Sequence, residues 1–301
     1  MLGKKPKLAT VEDAVAHIKD GDIVAIGGHT ARRHPMALVR EIIRQGRRRL
    51  HVAGWNNGID MDMLIGAGCV EIVETSYVGL GSFGLALNFR RAAEGGGIQI
   101  VDHSETTAMD RFRATSMGQP FLSTKTGLGT DLPKVNPYLK EFADPFTGER
   151  WLAVEPIRPD VAIVHAHRAD AEGNVQLDRE HWNDTSPDIM IARSAKITIV
   201  SVEQIVSSET LLSSATDTIL PRCDVTCIVE TPHGAHPCCC DARYDYDLDH
   251  IRHYHESSKS ADEFDSYLRE FVTGPNDHMA YLDKIGARRL MEISNNRMVR
   301  G

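Results

Sequence analysis

Apolar, strand-like runs that alternate with amphipathic helix patterns constrain this chain more than any other feature. Thr10 and Asp13 form a capping pair ahead of Val11 to Lys19, where Val11, Ala14, Val15 and Ile18 share one helical face and Gly21 marks the stop. Asp22-Ile23-Val24-Ala25-Ile26 then reads as a buried strand that ends at Gly27-Gly28. Pro35 suits the first turn of the next helix, whose apolar stripe is Met36, Val39, Ile42 and Ile43 before Gly46. Leu50–Ala53, Val70–Glu74 and Ile98–Asp102 repeat the strand signal, and a helix pattern at Leu85 to Ala93 closes at Gly95-Gly96-Gly97. Strand signals resume at Trp151–Glu155, Val161–His165, Ile197–Ser201 and Val225–Glu230. Ser260 and Glu263 form a capping box ahead of Phe264, Tyr267, Leu268, Phe271 and Val272. Strands separated by helices predict an α/β fold, an open and mainly parallel sheet with helices on both faces. We expect one domain over residues 1–301, with 1–9 and 291–301 as tails, and a long loop at 125–150, where Gly, Pro and Asp gather.

Composition removes several classes. Thirty-four Lys and Arg face 42 Asp and Glu, a formal charge of −8, which argues against a dedicated nucleic-acid binder. No apolar run approaches the length of a membrane span, and the basic N-terminus lacks the apolar stretch of a secretory signal, so a cytoplasmic protein is expected. The six cysteines need not be disulfides in that compartment. Cys238-Cys239-Cys240 stands beside His233 and His236, but three adjacent cysteines do not face one ion comfortably and no pair of CxxC knuckles is present. Buried thiols beside a tight turn are the expectation, and no metal.

In such sheets ligands bind beyond the carboxyl ends of strands, so the loops there carry the chemistry. Gly27-Gly28-His29-Thr30-Ala31-Arg32-Arg33-His34-Pro35 is one: two glycines let backbone N–H groups approach an anion, and the arginines could pair with phosphate or carboxylate. Gly79-Leu-Gly81-Ser82-Phe83-Gly84 matches the dinucleotide pattern GxGxxG, with Asp102 following 18 residues later. It follows the third strand rather than the first, so chance or another anion loop outweighs an NAD site. His165 and His167 lie two apart on one strand ahead of Asp170 and a Gly173-Asn174 turn, and bracing of that turn outweighs catalysis. In Val101-Asp102-His103-Ser104-Glu105, a carboxylate just past a strand end can point into the cleft as an acid or base.

Taken in order, these loops resemble the A (alpha-type) chain of class I coenzyme A transferases, the glutaconate CoA-transferase branch above all. The resemblance rests on Gly21-Asp22-Ile-Val-Ala-Ile-Gly27-Gly28-His29 with Arg33-His34-Pro35, on Met61-Asp62-Met63-Leu64-Ile65-Gly66, and on Gln119-Pro120-Phe121-Leu122. The segment from His165 to Asn174, Gly234-Ala235-His236-Pro237 and Tyr244-Asp245-Tyr246-Asp247 extend it, so that it covers residues 10–290. His29 stands where the family has Phe.

The resemblance implies the CoA-transferase superfamily fold and a heteromeric enzyme, A2B2 or larger, acting on acyl-CoA and a (di)carboxylic acid. It implies a B-type partner that carries the nucleophilic glutamate in a Ser-Glu-Asn-Gly-like setting. Ser208-Glu209-Thr210-Leu211 lacks that glycine and sits in a helix-like run. Coenzyme A enters as a substrate thioester, with no permanently bound cofactor. Gly27, Gly28, Arg33, Tyr77, Gly79 and Ser82 are the expected substrate-binding residues, with Arg33 as a carboxylate clamp. A related branch hydrolyses C–C bonds in cyclic CoA esters during steroid-ring degradation; its A-type acid/base glutamate corresponds to Glu105. The alternatives are therefore that hydrolase, an NAD-binding protein, and a non-catalytic homologue.

Overall fold

A computed structural model describes residues 6–178 and 186–295. Its centre is a nine-stranded sheet. Seven of the strands run parallel: β1 (Ile23–Ile26), β2 (Leu50–Gly54), β3 (Val70–Thr75), β4 (Gln99–Asp102), β5 (Val161–Ala169), β6 (Ile197–Ile205) and β7 (Cys227–Glu230). Their lateral order is β7-β6-β5-β1-β2-β3-β4. The chain therefore builds outward from β1 to one edge, then returns to β1's other flank and builds toward the opposite edge. Two short antiparallel strands, Val175–Gln176 and Thr218–Leu220, extend the sheet beside the far end of β5.

Side-chain alternation sorts the sheet into two faces. Val24, Ile26, Val52, Val73, Ile163 and Ile199 enter one core with helices α1 (Met36–Arg44) and α2 (Ile59–Gly66). Ala25, Ala53, Ala162, Val164 and Val200 enter the other, with α3 (Glu105–Ser116) and α4 (Ser186–Ser194). Alanines at β1, β2 and β5 on this second face leave room for α3 and α4 to lie close to the strands.

Two features depart from the expected layout. The segment 125–150 is not a plain loop: Leu139–Ala143 pairs antiparallel with Arg150–Val154, which also pairs with Leu122–Thr124. The strand predicted at Trp151–Glu155 thus belongs to a separate three-stranded sheet rather than to the parallel one. At the N-terminus, part of the expected tail is pinned. Leu8 bridges Ile228 in parallel, and the Lys7 ammonium donates to the carbonyls of Arg222 and Val225. At the other end Ile293, within the helix Ala287–Asn295, is buried.

Candidate active site

The carboxyl ends of β1 to β4 converge on one shelf. Just past β2 and β3 the chain bends at Trp55 and Ser76, and a short parallel pair, Asn56–Asn57 with Tyr77–Val78, sets Asn56 opposite Tyr77. The bend is held by Ser76 Oγ, 2.6 Å from the Trp55 carbonyl, and by Thr75 Oγ1, 2.8 Å from the same oxygen. The loop after β1 reaches this pair through Thr30, whose N–H donates to the Asn56 carbonyl at 2.7 Å. Beyond β4, Ser104 caps α3, accepting from Thr107 N at 3.1 Å, and so places Glu105 in the helix's first turn. Asn56 Nδ2 donates to Glu105 Oε1 at 2.9 Å, across 49 residues of sequence.

The shelf is polar at its rim and aromatic at its wall. Glu105 and Ser82 are exposed and Tyr77 is 42% exposed, whereas Asn56 is 6% exposed beneath them. The His29 ring lies 4.9 Å from Trp55, centroid to centroid. Burial lowers the His29 pKa, aided by His34 and Arg32; Glu105 opposes the change. Burial thus favours the neutral ring, which can donate one hydrogen bond and accept another.

A buried ionic network braces this half of the sheet from behind. Glu74 accepts from His51 Nε2 at 2.9 Å, meets His103 Nε2 at 3.3 Å, and pairs with Arg111. Burial alone would raise the Glu74 pKa, but hydrogen bonds from His103 and His51 and the Arg111 charge outweigh it and bring it down to about 2. Arg111 stacks over Tyr138 at 3.8 Å, and Asn136 Nδ2 donates to the Asp102 carbonyl at 2.7 Å. The small antiparallel sheet is tied to the strand ends by these contacts.

The loop after β1 is engaged by groups from elsewhere in the fold. Gly28 has φ +98°, and a Cβ there would fall 2.6 Å from His34 Nδ1, so glycine is required. Its N–H, however, donates to Asp188 Oδ1 at 2.7 Å. The Arg33 side chain is 1% exposed; it pairs with Asp188 at 2.6 Å and lies 3.7 Å from Asp241. A substrate carboxylate would have to displace Asp188 to reach it. The N-terminus of α1 is similarly engaged, Ala37 N–H donating to the Gly234 carbonyl at 2.9 Å.

The sequence model of the family described as Coenzyme A transferase matches residues 8–231. The chain belongs to the coenzyme A transferase family. An uncharacterized protein of Archaeoglobus fulgidus is 37% identical over 95% of this chain, which spans 64% of that relative's length. The A-type chain of the glutaconate CoA-transferase of Acidaminococcus fermentans is 34% identical, over 95% of this chain and 94% of its own. The crystal structure of that organism's glutaconate coenzyme A-transferase superposes with a TM-score of 0.91, covering 98% of this chain and 96% of the other. The IpdA component of the cholesterol ring-cleaving hydrolase of Rhodococcus jostii is 29% identical over 92% of this chain and 95% of its own length.

Within this coenzyme A transferase fold, the GxGxxG stretch is no dinucleotide cradle. Gly81-Ser82-Phe83 forms a single 3-10 turn, and the following helix begins only at Leu87. A Cβ on Gly79 would lie 2.3 Å from the Tyr77 hydroxyl, and one on Gly84 would lie 2.7 Å from His255 Nε2. The glycines serve close packing. Asp170 braces the turn, as the sequence suggested, but the two histidines do not: His165 bonds Ser201 at 2.9 Å and Glu203 at 2.7 Å, and His167 Nδ1 accepts from Asp178 N at 2.8 Å. Asp170 Oδ1 accepts from the N–H groups of Glu172, Gly173 and Asn174 at 3.0, 2.9 and 2.9 Å.

Among the described residues, His165, Glu203 and Cys240 each bring one potential ligand atom within 4.8 Å of the others. Both Glu203 oxygens are already engaged. Oε1 accepts from His165 Nε2 and the Tyr244 hydroxyl, each at 2.7 Å, and Oε2 from His233 N at 2.8 Å. Burial pushes the Cys240 thiol well above its usual pKa. His236 does not face these groups: it bonds Asp247 at 3.0 Å and the Tyr281 hydroxyl at 2.6 Å. Glu209 lies in the helix Ser208–Leu212, as expected.

Sequence reasoning missed Trp55, Asn56 and Ser76. Their signal was weak: a Gly-Trp-Asn-Asn-Gly stretch directly after a strand, where a turn is the ordinary reading.

Proposed function

We propose that this chain is the A-type half of a heteromeric CoA-transferase that moves CoA between an acyl-CoA and a (di)carboxylic acid. The observation that carries this reading is the whole-chain likeness, in sequence and in fold, to the A-type chain of glutaconate CoA-transferase. The shelf supports it. Its rim of Tyr77, Ser82 and Glu105 is open, as expected of half a site completed by a B-type chain, in an A2B2 or larger assembly in the cytoplasm.

On this reading the partner's glutamate attacks the thioester carbonyl. The C–S bond breaks, CoA leaves as thiolate, and an acyl-glutamyl anhydride remains. The thiolate then attacks the glutamyl carbonyl, releasing the first acid and leaving a glutamyl-CoA thioester. The acceptor acid repeats both steps in reverse order, regenerating the carboxylate. This chain's share is binding and orientation. Tyr77, Gly79 and Ser82 border the acyl group, with the Ser82 hydroxyl as a donor to an acyl or phosphate oxygen. Gly27, Gly28 and Arg33 shape the floor. CoA is substrate, with no resident cofactor. Co-purifying the chain with its B-type partner, adding acyl-CoA and weighing the partner should reveal a CoA adduct on one glutamate. A complex that forms no adduct and exchanges no CoA would sink the proposal.

A second reading, hydrolytic ring opening of a CoA ester, is favoured by one observation: Glu105, exposed on the shelf and fixed by Asn56. There Glu105 would serve as acid/base. Full activity in a Glu105→Gln complex would dismiss it.

A further inference from the structure

We propose that Asn56 positions Glu105 and, by turning its amide over, hydrogen-bonds the carboxyl group in both of its protonation states. This rests on the second reading, in which Glu105 carries a proton during turnover.

The argument starts from what an acid/base group needs. A carboxylate accepts hydrogen bonds only; once protonated it must also donate one. A fixed donor such as an N–H suits the first state and opposes the second, so it favours one protonation state over the other. A primary amide differs. It offers a donor nitrogen and an acceptor oxygen from almost the same place, and exchanging them takes a half-turn about one bond.

Asn56 has the surroundings to use this. Its amide lies between two groups, Glu105 Oε1 at 2.9 Å from Nδ2 and Ser76 Oγ at 3.2 Å from Oδ1. Ser76 Oγ also reaches the Trp55 carbonyl at 2.6 Å. A hydroxyl has one hydrogen and two lone pairs. With Glu105 ionised, Nδ2 donates to the carboxylate and the single Ser76 hydrogen serves the Trp55 carbonyl at 2.6 Å or Oδ1 at 3.2 Å. With Glu105 protonated, its O–H donates to the turned amide's oxygen, the amide nitrogen donates to Ser76 Oγ, and the hydroxyl hydrogen goes to the Trp55 carbonyl. The Ser76 hydrogen and the amide N–H turned toward each partner have an acceptor in both states, and the flip only exchanges the positions of the amide nitrogen and oxygen. The Asn56 backbone is anchored by Thr30 N–H at 2.7 Å and by pairing with Tyr77, so the amide turns while its Cα stays. Asn56 is a positioning residue, since Glu105 is the group that faces the ligand.

The test uses the assembled complex with its acyl-CoA substrate and reads kcat and KM across pH for four variants. Asn56→Asp keeps the shape but sets an acceptor-only group against Glu105. The acid limb of the kcat/KM profile should move up by at least one pH unit. Asn56→Leu removes both donor and acceptor; kcat should fall at least tenfold with KM changed less than threefold. Ser76→Ala should fall between wild type and Asn56→Leu. Glu105→Gln separates the two claims. Should Glu105→Gln abolish turnover while Asn56→Asp and Asn56→Leu keep the wild-type profile and kcat within twofold, Glu105 acts alone and the inference is wrong, though the reading beneath it stands. A fully active Glu105→Gln complex overturns both. Thermal midpoints within a few degrees of wild type exclude misfolding as the cause of either loss; should Asn56→Leu fail to assemble, the limb shift in Asn56→Asp decides.

Discussion

Two clusters of histidines and carboxylates lie toward the carboxyl ends of strands of the same sheet, and they differ in one respect. On β5 and β6, the Glu203 carboxylate is enclosed by His165, Tyr244 and the N–H groups of His233 and Gly234, and both of its oxygens accept hydrogen bonds. Beyond β1 to β4, Glu105 meets Asn56 and otherwise lies open. The closed cluster has the richer inventory of reactive groups, including three consecutive cysteines, all buried. Reactive residue types therefore do not mark the candidate site here; unspent hydrogen-bonding capacity on an accessible face does.

The sharpest way to test this comparison is to remove the buried counter-charge beneath the open shelf. Arg33 neutralises Asp188 in a pair that is buried on both sides. Arg33→Ala leaves that carboxylate, and in part Asp241, without its counter-charge, at a cost of about 3–5 kcal/mol. Urea unfolding should show the loss directly. A variant of near-native stability with a raised KM for the carboxylic acid would instead restore Arg33 as a substrate clamp.

Acid should loosen a buried histidine cluster next. His236, His250 and His278 are buried, and burial holds all three pKa values down, that of His278 at about 3 from an ordinary 6.5. Nearby Arg40, stacked 3.7 Å over the Tyr281 ring, adds repulsion to each. The unfolded chain takes up these protons below about pH 6.5 and the folded chain does not. Stability is therefore complete above that pH and falls as pH drops toward the folded values, by about 1.4 kcal/mol per histidine per unit at most. Urea unfolding at about pH 7.5 and about pH 5.5 should give a lower ΔG at the acid pH, with His278 alone contributing about 1.4 kcal/mol of the difference. A flat profile would mean that these imidazoles are already free to charge.

A matched pair of substitutions weighs the two halves against each other. Glu203→Gln exchanges a carboxylate for a neutral amide among donors arranged for an anion, and should cost about 2 kcal/mol. Glu105→Gln keeps a hydrogen-bonding partner for Asn56 at an exposed position and should stay within about 0.5 kcal/mol of wild type. Chemical denaturation of both settles the order. Equal losses would erase the distinction between a closed and an open cluster.

The sheet was legible because its strands announce themselves: short apolar runs, each ended by glycine or a polar turn, alternating with helix-period stripes. Val24, Ile26 and Val52 could be placed in a core from periodicity alone. The small antiparallel sheet was not legible. Leu139–Ala143 is short and flanked by Pro and Asp, and it becomes a strand only by pairing with Arg150–Val154. Glu105 could be suspected from its position after β4. Asn56 could not, because its role depends on a contact 49 residues away. Arg33 shows the converse: an arginine beside Gly27-Gly28 invites a ligand, and nothing local reveals Asp188, 155 residues later, as its partner.

The smallest expected effect falls at the rim of the open half. Ser82 is exposed within the 3-10 turn Gly81–Phe83, and no described side-chain contact holds it. Ser82→Ala removes one hydroxyl and no packing, so its thermal midpoint should match wild type. If the hydroxyl donates to an acyl or phosphate oxygen, its loss forfeits one hydrogen bond, about 1 kcal/mol, or roughly a fivefold change in kcat/KM. The split between constants adds information. A rise in KM alone marks ground-state binding, whereas a fall in kcat marks a donor used as charge develops. A complex whose kcat and KM both equal wild type would move the acyl group off this rim, toward His29 and Trp55.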